Sequence, residues 1–192
     1  ARRLRPPRSH QDETTESILQ HMEIAMNGIR VDEEETKEAN TAKKELYARF
    51  LAWFKGVDPA FRESVMDSMK ERSKTLLQMA ESVNIVEKVG EYDAADLIWK
   101  KSDKEGTLAV FEALIAQLDE REAVDFIRSK IESEVIEWIE STDWGNGDVL
   151  WPMRFALSGE KKSPSPFELA EMLGKEETLK RLRVAQEALS MA

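Results

Sequence analysis

Four groups of residues in this sequence carry side chains that could do chemistry. The Gly-Asn-Gly of residues 145–147 lacks the rest of a phosphate-binding pattern and follows a helix instead of a strand, so a tight turn is favoured. The Ser-Gly of residues 158–159 follows no strand and has no histidine placed to act as its base. The acids of residues 32–35 suit a solvated helix start better than paired catalytic carboxylates, and His10 and His21 lack the spacing of a metal site. The sequence therefore predicts no active site, no metal and no stand-alone enzyme.

The composition is that of a globular protein. The 192 residues are 41% hydrophobic, which is enough for one or two small domains with cores. No apolar run reaches the roughly 18 to 20 residues that cross a bilayer, so we expect no membrane span. The absence of cysteine excludes disulfides and thiolate chemistry, and it fits a reducing compartment such as the cytoplasm without proving one.

The charge of the chain is unevenly distributed. The net charge is −10, yet residues 1–10 carry four arginines and no acid. Residues 11–148 hold 17 basic and 32 acidic side chains, whereas residues 149–184 hold seven basic and five acidic ones. An acidic protein with a locally basic end can bind RNA at one place and repel it elsewhere. The charge alone neither proves nor forbids RNA binding.

Helical periodicity dominates after residue 12. Apolar residues recur at helical spacing, as in the long amphipathic pattern of residues 123–139, and no segment shows sustained period-two alternation. Capping boxes are predicted to begin at Ser102 and Ser165, and Gly174 is predicted to end a short helix. We therefore expect an all-α fold, a compact helical array in two subdomains that meet near residues 90–102.

Four divisions of the chain follow from these patterns. We expect residues 1–12 to form a flexible linker or fragment boundary, with a remnant of a targeting segment as the alternative because the first ten residues are rich in arginine. Asp58 and Pro59 are predicted to open a helix, since aspartate is a good N-cap and proline suits the first helical position. The remaining divisions are a helical N-terminal extension or junction (13–57), a first helical subdomain (58–101) and a second one (102–192).

The last segment resembles the C-terminal end of bacterial-type glutamyl-tRNA synthetases, in the domain that binds the tRNA anticodon. Order, spacing and residue types agree over about 35 residues. The matching residues are Pro152, Arg154, Ala156, Leu157, Ser158, Gly159, Ser163, Pro164, Phe167, Glu168, Leu173, Gly174, Lys175, Glu176, Leu179, Arg181 and Leu182. Weaker similarity at residues 71–76 and 92–102 extends the resemblance over roughly residues 58–189.

The resemblance implies tRNA anticodon recognition by part of a glutamate–tRNA ligase. Its partner would be a glutamate tRNA, with a glutamine tRNA left open, and a monomer is expected. The ATP-handling signatures of the family's catalytic domain are absent, so ATP and glutamate would bind that domain and this chain would hold no cofactor. The residues implied to contact the anticodon are Arg154, Ser163, Pro164, Pro166 and Phe167, with Arg72 as the candidate discriminator of the third anticodon base.

Each implied contact has a structural alternative. Trp151 and Phe167 fall on apolar faces and suit a core, and Arg154 could instead cap a helix end or pair with an internal acid. A competing hypothesis is an acidic, all-helical protein-interaction module without an RNA role. The acidic helices of residues 32–54 indicate it, together with an exposed-looking methionine stripe formed by Met66, Met69 and Met79.

Overall fold

A computed structural model describes residues 14–28, 37–88 and 92–192. All regular secondary structure in these ranges is helical, which confirms the all-α prediction. The predicted linker of residues 1–12, the acidic start at residues 32–35 and His10 lie outside the described residues. The chain divides into two compact units, Ala1–Asn84 and Ile85–Ala192.

The first unit packs its helices around aromatic and methionine side chains. Its helices are α1 (Thr15–Gly28), α2 (Lys37–Gly56), α3 (Arg62–Arg72) and α4 (Leu76–Glu81), with α5 (Val83–Glu87) crossing into the second unit. Phe50 and Phe54 of α2 stack at 5.9 Å between ring centroids, and both are buried. The Thr15 hydroxyl donates to Glu63 at 2.9 Å and so ties α1 to α3.

The methionine stripe predicted to be exposed lies inside this unit. Met66, Met69 and Met79 are 0%, 3% and 1% exposed, because α3 packs on α1 and α4. Methionine fills irregular gaps between helices, and its helical spacing does not tell the inner face from the outer one. The prediction of an exposed stripe was therefore wrong, and these residues no longer support the protein-interaction hypothesis.

In the second unit, α6 and α8 pack against the long C-terminal helix. The unit contains a 3-10 helix at Ala94–Leu97, then α6 (Lys104–Asp119), a 3-10 turn at Ala123–Asp125, α7 (Arg128–Glu140), α8 (Asn146–Ser158) and α9 (Pro166–Met191). One continuous core joins them, and its fully buried members include Leu97, Phe111, Leu114, Phe126, Ile131, Val149, Met153, Leu157, Leu169 and Leu182.

The division between the units falls earlier than the predicted one at residues 101 and 102. Leu97 is fully buried in the second core, and Tyr92, Ala94 and Ile98 pack against it. Residues 85–101 therefore belong with the C-terminal helices. The predicted junction (13–57) shares a core with the helices that follow it, because α2 packs on both α1 and α4.

Several helix ends lie where the local sequence predicts them. The Ser165 hydroxyl accepts from the Glu168 amide and the Glu168 carboxylate accepts from the Ser165 amide, which is the predicted capping box. Gly174 interrupts α9 with a φ of 73°, a conformation that a side chain disfavours. Directly after this break, the Lys175 ammonium donates to the carbonyls of Asp119 and Arg121 at 2.7 and 2.6 Å and closes the end of α6.

Three predicted boundaries were wrong. Asp103, and not Ser102, caps α6, and its carboxylate accepts from the Gly106 amide at 2.7 Å. The pattern of residues 123–139 is broken at Phe126 and Ile127, whose backbones are not helical, so α7 begins only at Arg128. Asp58 caps a turn, accepting from the Ala60 amide at 2.9 Å, and α3 starts four residues later.

Candidate nucleic-acid interface

The loop between α8 and α9 is short and is held at both ends. Gly159 ends α8 with a φ of 68°, and its amide donates to the Phe155 carbonyl at 2.8 Å. The buried Ser158 hydroxyl donates to the Arg154 carbonyl at 2.9 Å and accepts from the Glu160 amide at 3.1 Å. Six residues later the Ser165 capping box opens α9. Hydrogen bonds therefore fix both ends of the loop 159–165 to the adjoining helices.

Arg154 lies on α8 beside this loop and is half-buried. Its guanidinium carbon is 5.1 Å from the centroid of the Trp151 ring, which is a cation–π arrangement. One terminal nitrogen, Nη2, donates to the Lys161 carbonyl at 3.2 Å. The donors Nε and Nη1 make no hydrogen bond with any described residue.

Arg154 differs from every other arginine of the second unit in its electrostatic surroundings. The other four form ion pairs with carboxylates: Arg121 with Glu134, Arg128 with Glu168, Arg181 with Glu177 and Arg183 with Asp119. Within the described part of the chain, Arg154 pairs with no acid. Its charge, at a partly exposed place, therefore has no carboxylate partner in the part of the chain that the structure describes.

Aromatic rings form the base on which Arg154 rests. The Trp151 indole donates to the Asp96 carbonyl at 2.9 Å, and its ring lies 5.3 Å from Trp99 and stacks on Phe155 at 6.1 Å. Trp151 packs against the core and is also partly exposed, as is Trp99. We call Trp99, Trp151, Arg154, Ser163 and Pro164 the Arg154 surface.

The glycine-rich segment 145–147 starts α8 and is not the tight turn that the sequence predicts. The Gly145 amide donates to the Asp148 carboxylate at 3.0 Å, and the helix begins at Asn146. A Cβ atom at Gly147 would lie 2.4 Å from the Trp99 indole nitrogen. Glycine at this position therefore lets Trp99 approach the helix and reach Trp151.

Several basic side chains lie around the Arg154 surface. Lys100 lies over the Trp99 ring at 5.8 Å, and Lys161 and Lys162 are exposed in the loop. Of the neighbouring acids, Asp96 pairs with Lys161 at 2.9 Å and Glu160 pairs with Lys88 at 3.1 Å. Exposed lysines of this kind can contact an anionic ligand such as a phosphate backbone.

The structure divides the six residues implied to contact the anticodon into three groups. Arg154 contacts the loop 159–165 at the Lys161 carbonyl, and Ser163 and Pro164 follow in the same loop, where both are partly exposed and the Ser163 hydroxyl donates to the Pro164 carbonyl at 3.2 Å. Pro166 and Phe167 are buried, Phe167 to 5% exposure, because they form the first turn of α9 against the core. Phe167 therefore occupies a core position, as the structural alternative predicts, and the implied contact of these two residues with the anticodon stays a prediction.

Arg72 is the remaining implied residue. It is exposed at the last position of α3, in the first unit. The five other residues all belong to the second unit. The role of Arg72 in reading a base stays a prediction.

Sequence reasoning missed three neighbours of Arg154. Asp96, Trp99 and Lys161 reach the site through contacts with Trp151 or Arg154. The only local signal was the aromatic and basic composition of residues 99–101. The partners of Trp99 and Asp96 lie some fifty positions along the chain, so local spacing carries no information about them.

Arg181 occupies the opposite kind of site, inside the second unit. It is 2% exposed, and its terminal nitrogens donate to the carbonyls of Leu157 at 2.7 Å, Ile85 at 3.0 Å and Val86. Its Nε donates to Glu177 at 3.0 Å. We call these five residues the Arg181 cluster, which closes the C-terminal ends of α5 and α8.

Two ionisable groups, one beside the Arg181 cluster and one within it, have altered pKa values. Burial raises the pKa of Tyr92 to about 12, although the charge of Arg181 opposes the shift. The Tyr92 hydroxyl is buried and has no hydrogen-bond partner among the described residues. Burial also opposes ionisation of Glu177, but hydrogen bonds from Lys180 and Arg181 outweigh it and keep the pKa of this carboxyl below its usual value.

Comparisons with known proteins define the class of this fold and site. A family profile described as the anticodon binding domain matches residues 45–186. The chain therefore belongs to the anticodon binding domain family. In the described residues no helix is long and apolar enough to cross a membrane, and no cluster of three metal-ligating side chains occurs.

The similar proteins are glutamate–tRNA ligases. The ligase of Lachnoclostridium phytofermentans is 35% identical over 129 residues, which are 66% of this chain and 26% of that protein. The Clostridium tetani ligase is 33% identical over 150 residues, or 76% of this chain and 30% of that protein. A crystal structure of a glutamate tRNA ligase from Elizabethkingia meningosepticum shares the fold, with a TM-score of 0.61 at 23% identity over 93% of this chain and 30% of that one. The chain thus spans about a quarter to a third of the length of these relatives.

Proposed function

We propose that this chain recognises the anticodon loop of a glutamate tRNA as the C-terminal part of a glutamate–tRNA ligase. The observation that carries the proposal is Arg154, the one arginine of the second unit that forms no ion pair with a described residue. An arginine held in place with unused donors is suited to a nucleobase edge or a phosphate. The family to which residues 45–186 belong supports the same assignment.

The Arg154 surface suits an unpaired loop better than a duplex. Single-stranded bases stack on aromatic rings or guanidinium planes and bond through their edges to side chains and backbone. Trp99 and Trp151 supply partly exposed rings, and the Nε and Nη1 donors of Arg154 supply the polar contact. Pro164 stiffens the loop, which reduces the entropy lost on binding.

The chemistry of the ligase belongs to another part of the whole protein in this proposal. ATP and glutamate would bind a catalytic domain, and the present chain would contribute binding alone as a monomer in the cytoplasm. The cognate RNA is a glutamate tRNA, and a glutamine tRNA is the alternative substrate of the parent ligase. Parallel titrations with the two tRNAs separate these possibilities.

Binding of short RNA hairpins tests the proposal. The full chain is titrated with an anticodon stem-loop of glutamate tRNA and with a hairpin of scrambled loop sequence, at two salt concentrations. We expect tighter binding of the glutamate stem-loop and weaker binding of both at higher salt, because phosphate contacts release counterions. Equal affinity for the two hairpins contradicts the proposal.

A pair of variants assigns the binding to Arg154. Arg154→Ala should weaken binding of the glutamate stem-loop about tenfold or more, as expected for a central arginine contact. Arg183→Ala removes the same charge from an exposed arginine that pairs with Asp119 on α6, and it should change affinity little. An equal effect of the two substitutions would remove Arg154 from the interface. Circular dichroism checks that helicity is retained.

A further inference from the structure

Four residues around the Arg154 surface form a closed ring of contacts. The Trp151 indole donates to the Asp96 carbonyl at 2.9 Å, and Arg154 lies over the Trp151 ring at 5.1 Å. Arg154 donates to the Lys161 carbonyl at 3.2 Å, and the Lys161 ammonium forms an ion pair with the Asp96 carboxylate at 2.9 Å, which closes the ring. The ring joins the 3-10 helix at Ala94–Leu97, α8 and the loop 159–165.

Stability alone does not explain the ion pair that closes this ring. The side chains of Lys161 and Asp96 are 62% and 38% exposed, and an ion pair so exposed contributes little to folding. Its position is more informative. Asp96 is bound through its backbone to the indole on which Arg154 rests, and through its carboxylate to the loop residue whose carbonyl Arg154 contacts.

We propose that Asp96 is the positioning residue of the Arg154 surface and sets its selectivity for RNA sequence. The inference rests on the proposed function. Asp96 has two opposed effects on RNA. Its negative charge repels any phosphate backbone, whereas its two contacts hold Arg154 and the loop in the arrangement that one loop sequence fits. Removing the carboxylate charge should therefore increase general affinity and decrease discrimination.

The experiment measures a ratio of affinities. Dissociation constants of the full chain are determined for the glutamate anticodon stem-loop and for the scrambled hairpin. The Asp96→Asn variant should bind the scrambled hairpin more tightly than the unsubstituted chain does. The ratio of the dissociation constant for the scrambled hairpin to that for the glutamate stem-loop should fall about threefold or more. A loss of folding would weaken both, so the expected pattern is distinct from simple damage.

Glu160→Gln is the matched control. Glu160 lies one position before Lys161 and carries the same charge as Asp96, but it pairs with Lys88 and has no contact in the ring. Its substitution should tighten binding of both hairpins by the same factor and leave their ratio unchanged. The two variants change net charge equally, so any difference between their ratios comes from positioning.

A second substitution tests the ring independently of Asp96. Lys161→Gln removes the other end of the ion pair at an exposed side chain, and it should lower the ratio as Asp96→Asn does. In the double variant the ratio should fall no further, because either change opens the same ring. Additive effects of the two substitutions would contradict the proposal.

The outcomes separate this inference from the proposed function. If the unsubstituted chain prefers the glutamate stem-loop but Asp96→Asn retains the full ratio, the positioning role is wrong and anticodon recognition stands. If the unsubstituted chain shows no preference between the hairpins, anticodon recognition fails and the role of Asp96 fails with it.

Discussion

Arg154 and Arg181 lie in the same unit, and their guanidinium groups have opposite surroundings. Arg181 is 2% exposed and donates to three backbone carbonyls and one carboxylate. Arg154 is partly exposed, rests on Trp151 and donates to one carbonyl. Both positions match residues of the same resemblance, although it implies an anticodon contact only for Arg154.

The difference between the two arginines separates folding from binding. A buried guanidinium whose donors are used within the fold stabilises the helix ends that it joins. A held guanidinium with unused donors stabilises little by itself and can bond to a ligand. We therefore expect substitutions at the Arg181 cluster to change stability, and substitutions at the Arg154 surface to change RNA binding first.

The largest expected effect is that of Arg181→Met. The substitution keeps an apolar stem but leaves the buried Leu157 carbonyl and the partly buried carbonyls of Ile85 and Val86 without their donor. It should lower the free energy of unfolding by about 3 to 5 kcal/mol, as when a buried ion pair loses one partner. Chemical denaturation followed by tryptophan fluorescence measures this, since Trp99, Trp138, Trp144 and Trp151 all lie in the second unit.

Arg183→Met is the control for the buried arginine. Arg183 is 54% exposed and pairs with Asp119 at the surface, so its loss should change stability by less than about 1 kcal/mol. Similar losses for the two variants would show that the carbonyl contacts of Arg181 are not what stabilises this unit.

An intermediate effect is expected at Gly147. Gly147→Ala places a methyl group against the Trp99 indole and should cost about 1 to 3 kcal/mol, the usual range for overpacking. Because Trp99 contacts Trp151, the variant should also bind the glutamate stem-loop less tightly. Gly56→Ala is the matched control, since a Cβ there meets no atom within 4 Å. Unchanged stability and binding would show that Trp99 moves aside without consequence.

The smallest effect belongs to Tyr92→Phe, beside the Arg181 cluster. The buried hydroxyl has no described partner, so its removal should raise stability by about 1 kcal/mol or less at neutral pH. The alkaline effect has a defined sign. The pKa of Tyr92 is raised to about 12 in the fold, so ionisation of this tyrosine leaves the free energy of unfolding unchanged below the unfolded value near pH 10 and lowers it as the pH rises toward 12.

Measuring the free energy of unfolding of both proteins between about pH 10 and 12 checks the direction of this change. The unsubstituted chain should lose more stability between about pH 10 and 12 than the Phe variant does, because the unfolded tyrosine ionises first. Tyr47 titrates in both proteins and cancels from the difference. Parallel stability curves for the two proteins would argue against burial as the cause of the shift.

Local signals were sufficient to predict some elements of the fold. The Ser165 capping box and the glycine at 174 act within one helical turn, so a short window of sequence contains all that they require. Residues 102 and 103 show the limit of this approach. Both are good N-cap residues, and backbone geometry selects Asp103.

The neighbours of Arg154 could not be predicted, for a physical reason. The proximity of Trp99 to Gly147 and of Asp96 to Lys161 follows from how α8 packs against the segment before α6. Such tertiary contacts leave no periodicity in the sequence. The prediction for the methionines of α3 and α4 was wrong for a different reason. Periodicity showed that they share a helix face but not whether that face is buried or exposed.

The bonds that Arg181 makes with backbone oxygens bear on how this architecture can evolve. A carbonyl is the same in every residue, so positions 85, 86 and 157 can exchange one apolar side chain for another while the guanidinium keeps its three acceptors. These hydrogen bonds require only that the backbone keep its path and that position 181 remain an arginine. Sequences can then diverge widely around this point without losing the helical arrangement.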